Sequence, residues 1–157
     1  MKQIGIVLLV GLLASACGGS TASSPASPSS GMSGTWSGTS HDTTGQDTMG
    51  WTVTQNGNSL SGTMSLSDTG RGMMGNGNMT GTVHGNTVSF HMSVPTNGFT
   101  GTMSSCSMAA DGQATMSADG HTMTGTYSGT MSGMMSGGMM NQSCGGVMSN
   151  GQFTLTR

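Results

Sequence analysis

The stretch "NMTGTVHGNTVSFHM", residues 78–92, decides the fold. Apolar and polar residues alternate on either side of Gly85 and Asn86, the pattern of two half-buried strands joined by a two-residue turn. With that turn Val83 faces Val88, Gly81 faces Phe90 and Met79 faces Met92, so every apolar residue falls on one side. The mid-strand glycine thus lies opposite an aromatic ring. Its missing side chain makes room for the ring and lets the strand bend, which is how small β-barrels turn corners.

The same break recurs in "LSGTM" at 60–64, "FTGTM" at 99–103 and "MTGTY" at 123–127. A turn at Asn56 and Gly57 would pair Val53 with Leu60, Trp51 with Gly62 and Met49 with Met64. A turn around Asp119 and Gly120 would pair Met116 with Met123 and Ala114 with Gly125. Across "PTNG", residues 95–98, the register sets Met92 opposite Gly101 and Phe90 near Met103. The repeat recurs about every 19 to 24 residues, one hairpin unit, and therefore describes a meander and not a solenoid. Strands are expected near 33–40, 48–55, 59–67, 78–84, 87–94, 99–107, 113–118, 121–130 and 152–157. A short extra strand at 146–149 would pair with the last across Asn150 and Gly151. The fold expected is all-β: an antiparallel up-and-down barrel of about 8–10 strands with its apolar face inside. A two-sheet sandwich is the rival, because period-2 alternation does not show closure.

Charge excludes several functions. Beyond residue 30 the formal charges are Asp42, Asp47, Asp68, Asp111, Asp119, Arg71 and Arg157, with no Glu and no Lys. There is no basic footprint for nucleic acid. Carboxylate-pair and lysine chemistry has almost no residues to use, and no Gly-x-Ser-x-Gly elbow or phosphate loop is present, so a non-enzyme without a cofactor is expected.

The first residues, "MKQIGIVLLVGLLASAC", carry one Lys, an apolar run from Ile4 to Leu13 and then small residues up to Cys17. That is the layout of a secretory signal peptide over 1–16, too short to span a membrane. "LLASAC" resembles the bacterial lipobox, which implies lipid modification of Cys17 and attachment to a membrane. Gly18 in place of Asp implies sorting to the outer membrane of a Gram-negative bacterium. Residues 17–32 hold the lipidated cysteine and a Ser/Pro/Gly tether, and residues 33–157 form the barrel domain. With Cys17 lipidated, Cys106 and Cys144 remain as an even pair in an oxidising compartment. A disulfide between them is the economical reading.

"GTW", residues 34–36, on the first strand and "QFTLTR", ending in Arg157, on the last resemble the calycin superfamily of lipocalin-like, fatty-acid-binding-protein-like and avidin-like barrels. The resemblance implies that Trp36 sits at a closed barrel end with Arg157 over its ring. "MTGTY", 123–127, is similar to an avidin strand motif, but avidin pockets use several tryptophans and this chain has Trp36 and Trp51, so biotin is not the expected ligand. The chain also resembles Ser/Thr/Gly-rich bacterial lipoproteins. The function expected is binding of a small apolar ligand in a cavity lined by Trp51, Phe90, Phe99, Tyr127 and inward methionines. The alternative is a structural or interaction protein of the envelope with a filled barrel, whose protein partner is not legible.

Methionine is over-used, with 18 residues in the chain. Met49, Met64, Met79, Met92, Met103, Met116 and Met123 fall on the apolar face in the registers above, where methionine is a flexible core filler. Met73, Met74, Met134, Met135, Met139 and Met140 are placed in loops. They raise a second alternative, periplasmic Cu(I) binding by Met-rich loops within 131–148, because thioethers favour soft metals. No His-based metal site is expected. His84 and His91 are about four residues apart in register, His121 lies beside a turn and His41 is placed in a loop.

Overall fold

A computed structural model describes residues 31–68, 73–100, 103–134 and 143–157. The signal segment, Cys17 and most of the tether lie outside the described residues, as do Gly101, Met135, Met139 and Met140. Eight strands follow in chain order: β1 Gly34–Asp42, β2 Gly45–Asn56, β3 Ser59–Asp68, β4 Met73–His84, β5 Thr87–Val94, β6 Cys106–Met116, β7 Thr122–Gly133 and β8 Gly146–Thr156. Each pairs antiparallel with the next, and β8 pairs back onto β1, so the meander closes into a barrel. Closure leaves no sheet edge exposed. His41 belongs to β1 and not to a loop.

Alternation sorts the two faces. Inward positions carry Met, Val, Leu and aromatic residues, while outward positions are mostly Thr and Ser. One outward row runs Thr48, Thr39, Thr154, Thr124, Thr115, Thr87 across six strands, each a direct partner of the next. Such β-branched cross-strand pairs suit a pleated surface and solvate it without charge.

The registers expected for β4–β5 and β6–β7 are present: Gly81 pairs with Phe90, Met79 with Met92, Met116 with Met123 and Ala114 with Gly125. The β2–β3 hairpin is displaced, with Val53 against Gly62, Trp51 against Met64 and Met49 against Leu66. Its turn is Gly57-Asn58, in which Gly57 has a φ of 59°, as Gly85 has 61° in the next hairpin. A left-handed first turn residue favours glycine over asparagine, and that preference sets the register. The two-residue displacement keeps every side chain on its expected face.

Three strand expectations need correction. No hairpin forms across "PTNG": β5 pairs with β6, so Met92 faces Ala110 and Phe90 faces Gly112. Pro95 has no N–H to continue a ladder, and the Gly98 N–H closes a turn on the Pro95 carbonyl at 2.7 Å. Phe99 then leaves the wall and lies against Gly75, where a Cβ would come within 2.5 Å of the ring. In place of strands at 99–107 and 113–118, a single β6 starts at Cys106. The two C-terminal strands are also one. Asn150, at φ 55°, sits in a bulge that pairs Tyr127 with Gly151 and Gly129 with Met148, giving β8 one residue more than β7.

The glycine breaks have their physical reason in the barrel interior. Gly81, Phe90, Gly112, Tyr127 and Gly151 form one cross-strand row, so each ring lies between two glycines. A Cβ on Gly112 would stand 2.4 Å from Phe90 Cζ and 2.3 Å from the Thr126 carbonyl oxygen, and one on Gly125 would stand 2.6 Å from the Phe153 ring. Gly62 is different, since its Cβ would strike the Thr52 carbonyl at 2.1 Å and no aromatic residue pairs with it. Trp51, Phe90 and Phe153 meet at centroid distances of 5.0–5.6 Å and fill the middle of the barrel. Among the described residues the buried side-chain polar atoms without a partner are Trp51 Nε1 and Ser40 Oγ.

One end of the barrel is sealed. Trp36 and Met32 are fully buried there, and Trp36 Nε1 donates to the Met32 carbonyl at 3.0 Å. Arg157 lies 4.8 Å from the Trp36 ring centroid and donates to the carbonyls of Gly31 and Ser33. Met32, placed in the tether by its composition, is therefore part of this plug.

Two stability measurements follow from these contacts. In chemical denaturation Gly112→Ala should lose about 2–3 kcal/mol through overpacking, while Gly146→Ala, where a Cβ meets nothing within 4 Å, should stay near wild type. Arg157→Ala should lose about 1 kcal/mol, the scale of an exposed cation–π contact together with its carbonyl bonds.

Candidate functional site

The other end of the barrel is open. There the ends of β1, β3, β5 and β7 and the starts of β2, β4, β6 and β8 surround a cavity of about 260 Å³. Seven methionines line it: Met49, Met73, Met92, Met103, Met108, Met131 and Met148. Leu66, Phe99 and Tyr127 complete the apolar wall, and Asp42, Asp47 and Asp68 also reach the lining. No Lys, Arg or His is among those residues.

Several local choices build this mouth. Met108 and Met131 are direct partners across β6 and β7. Met148 faces inward because of the Asn150 bulge. Gly151, Phe153 and Leu155 face the interior, and continued alternation would have placed residue 147 inside, yet Val147 is 69 % exposed and Met148 is 3 % exposed. A bulge that re-aims a side chain beside a cavity is a recurrent use of that device. The Cys106–Cys144 disulfide ties the start of β6 to the segment before β8 and so fixes one side of the rim.

Asp42 is the most buried of the acids, at 6 % exposed. It accepts from the Tyr127 hydroxyl at 2.7 Å and from the backbone N–H and hydroxyl of Thr44, each at 2.6 Å. Burial, and then the bond to the Asp42 carboxylate, push the Tyr127 phenol far above its ordinary value of 10, so it stays a proton donor to Asp42. Elsewhere, His91 pairs with Asp111 at 2.8 Å on the outer face. A larger hollow of about 740 Å³ over Thr39, Gln46, Gln113 and Gln152 is polar and open to solvent, so it does not enclose a ligand.

Of the four aromatic residues expected to line a cavity, Phe99 and Tyr127 do so. Trp51 and Phe90 instead form the aromatic floor with Phe153. Trp36 and Arg157 meet at the opposite end. The three Asp residues at the mouth and Met108, Met131 and Met148 carry the site without having been singled out as ligand-lining. For Met108 the signal was the alternation of "CSMAADGQATM", 106–116, hidden because Asp111-Gly112 has the composition of a turn. No protein family, curated protein or solved structure matches this chain.

The rim clip has a measurable weight. Replacing Cys106 and Cys144 by Ser should lower stability to denaturant by about 3–4 kcal/mol, the loop-closure value for residues 38 apart.

Proposed function

We propose that this chain is an exported, lipid-anchored, calycin-like carrier that holds a small apolar molecule in the methionine-lined mouth. The observation that carries the reading is the asymmetry of the barrel. One end is sealed by Trp36, Met32 and Arg157, while the other holds an apolar cavity of about 260 Å³. Small-molecule pockets run from about 300 to 1,000 Å³, and methionine walls with three rotatable bonds widen at little cost. The absence of charge over most of the outer surface leaves apolar capture, and not electrostatic steering, as the means of selection.

Anchoring at Cys17 on the outer membrane suits this design. Residue 31 enters at the sealed end, so an anchor at Cys17, about 14 residues earlier in the chain, joins the barrel opposite the mouth. The mouth then points away from its own leaflet. The filled-barrel alternative is favoured by the aromatic floor, which occupies the middle of the interior.

The test is native mass spectrometry of a soluble Cys17→Ser form taken from the periplasm, followed by titration with the neutral fluorophore N-phenyl-1-naphthylamine. A co-purifying apolar molecule, or saturable probe binding abolished by Met92→Trp, is the expected result. A bare mass together with no saturable probe binding would assign the protein to the filled-barrel class.

A further inference from the structure

The mouth holds chemistry that an apolar ligand does not use. We propose that its β6–β8 wall binds a soft monovalent cation, Cu(I) or its analogue Ag(I), through the thioether sulfurs of Met108, Met131 and Met148, with Met103 closing over them. This goes beyond the apolar-carrier reading and concerns one wall of the cavity.

The placement of these side chains is the first argument. Met108 and Met131 are direct cross-strand partners on the inner face, where Cβ atoms of such pairs stand about 4.5–5.5 Å apart. Met148 pairs with Gly129, the next inward position along β7 from Met131, and Ala110 fills the space a Cβ on Gly129 would take, so the side chain that β7 adds beside Met148 on this wall is that of Met131. Only the bulge at Asn150 turns Met148 inward, at the cost of a left-handed non-glycine residue. Met103, 3 % exposed, reaches the same cavity from the connection before β6. Four thioethers from four separate segments therefore share one cavity wall.

The second argument is charge. Thioethers are neutral, so an ion held by them keeps its charge in a poorly solvated site and needs an anion nearby. Asp42 is that anion: it is buried, lines the same cavity and accepts from the Tyr127 and Thr44 hydroxyls and the Thr44 backbone N–H, and among the described residues no Lys, Arg or His lines the cavity. The third is selectivity. Among the described residues no group of three or more His, Cys, Asp or Glu could hold a harder ion, and soft thioether donors suit Cu(I), whereas Mg and Ca take oxygen ligands. The site differs from one built on Met134, Met135, Met139 and Met140, since three of its four methionines are at most 4 % exposed and the fourth, Met131, packs partly buried against the core. No electron is transferred; the ion enters and leaves as Cu(I).

The full-length chain in detergent, titrated anaerobically with Cu(I) against the chromogenic chelator bathocuproine disulfonate, tests this. One equivalent should bind, with sulfur scattering at the copper K-edge. Met108→Leu with Met131→Leu, and separately Met148→Leu, should each weaken binding at least tenfold with an unchanged circular dichroism spectrum. The control is Met116→Leu with Met123→Leu, an equivalent cross-strand pair at the sealed end, which should bind as wild type. Absence of Cu(I) binding, equal loss in the control pair, or loss confined to a Met134/Met135/Met139/Met140→Leu variant would each overturn the proposal. N-phenyl-1-naphthylamine binding by the metal-free protein reports the apolar reading separately, so either can fail alone.

Discussion

The barrel depends on rings that approach the backbone of neighbouring strands. Phe90 sits between Gly81 and Gly112, Tyr127 between Gly112 and Gly151, and Phe153 against Gly125. At Gly112 the space for a single Cβ is taken by both a ring and a carbonyl oxygen. These glycines cost backbone entropy and β propensity within the strands. What offsets the cost is a wall that curves closely enough to close with eight strands and an aromatic floor packed edge to face. Enlarging any glycine in this row would separate the wall from the floor.

That floor divides the interior into unequal parts. Toward the sealed end, Met32, Leu155 and Val88 pack without exposure, as does Trp36 beneath Arg157. Toward the mouth the wall changes from aromatic to methionine, and the disulfide takes over part of the work of holding the rim. Methionine specifies a packed core less sharply than leucine or isoleucine, because it has more rotamers of similar energy. Its concentration where the barrel opens provides an adaptable lining backed by a rigid floor. Met73, on the first residue of β4, belongs to this lining and is no free loop side chain.

Much of this architecture was legible in the alternation of side chains. A period of two and a turn signal fix which face a residue takes, and Gly81–Phe90 and Ala114–Gly125 pair as their hairpins require. The β2–β3 register slipped by two residues because Asn56-Gly57-Asn58 offers two turns of similar composition; the faces survived because the displacement was even. The larger differences arose where one local signal serves two purposes. Asp111-Gly112 and Asn150-Gly151 have hairpin-turn composition, but Gly112 is needed beneath two rings and Asn150 carries a bulge. Both are long-range demands, set by strands far away in sequence. The mouth was less legible for the same reason, since Met108 and Met148 acquire their facing from these two sites.

The Asn150 bulge therefore joins the fold to the site. Below it, the inward position beneath Tyr127 must fall on Gly151, because a Cβ there would stand 2.6 Å from the ring. Above it, Met148 must lie inward if the mouth is to be lined by sulfur on the β8 side. Positions 148 and 151 differ by an odd number, so an unbroken strand cannot satisfy both demands. One extra residue reconciles them, and Asn tolerates the left-handed conformation better than other non-glycine residues. Tyr127, held beneath the bulge by Gly151, in turn donates to Asp42 in the mouth. The packing that closes the wall and the polarity of the cavity are thereby coupled through one side chain.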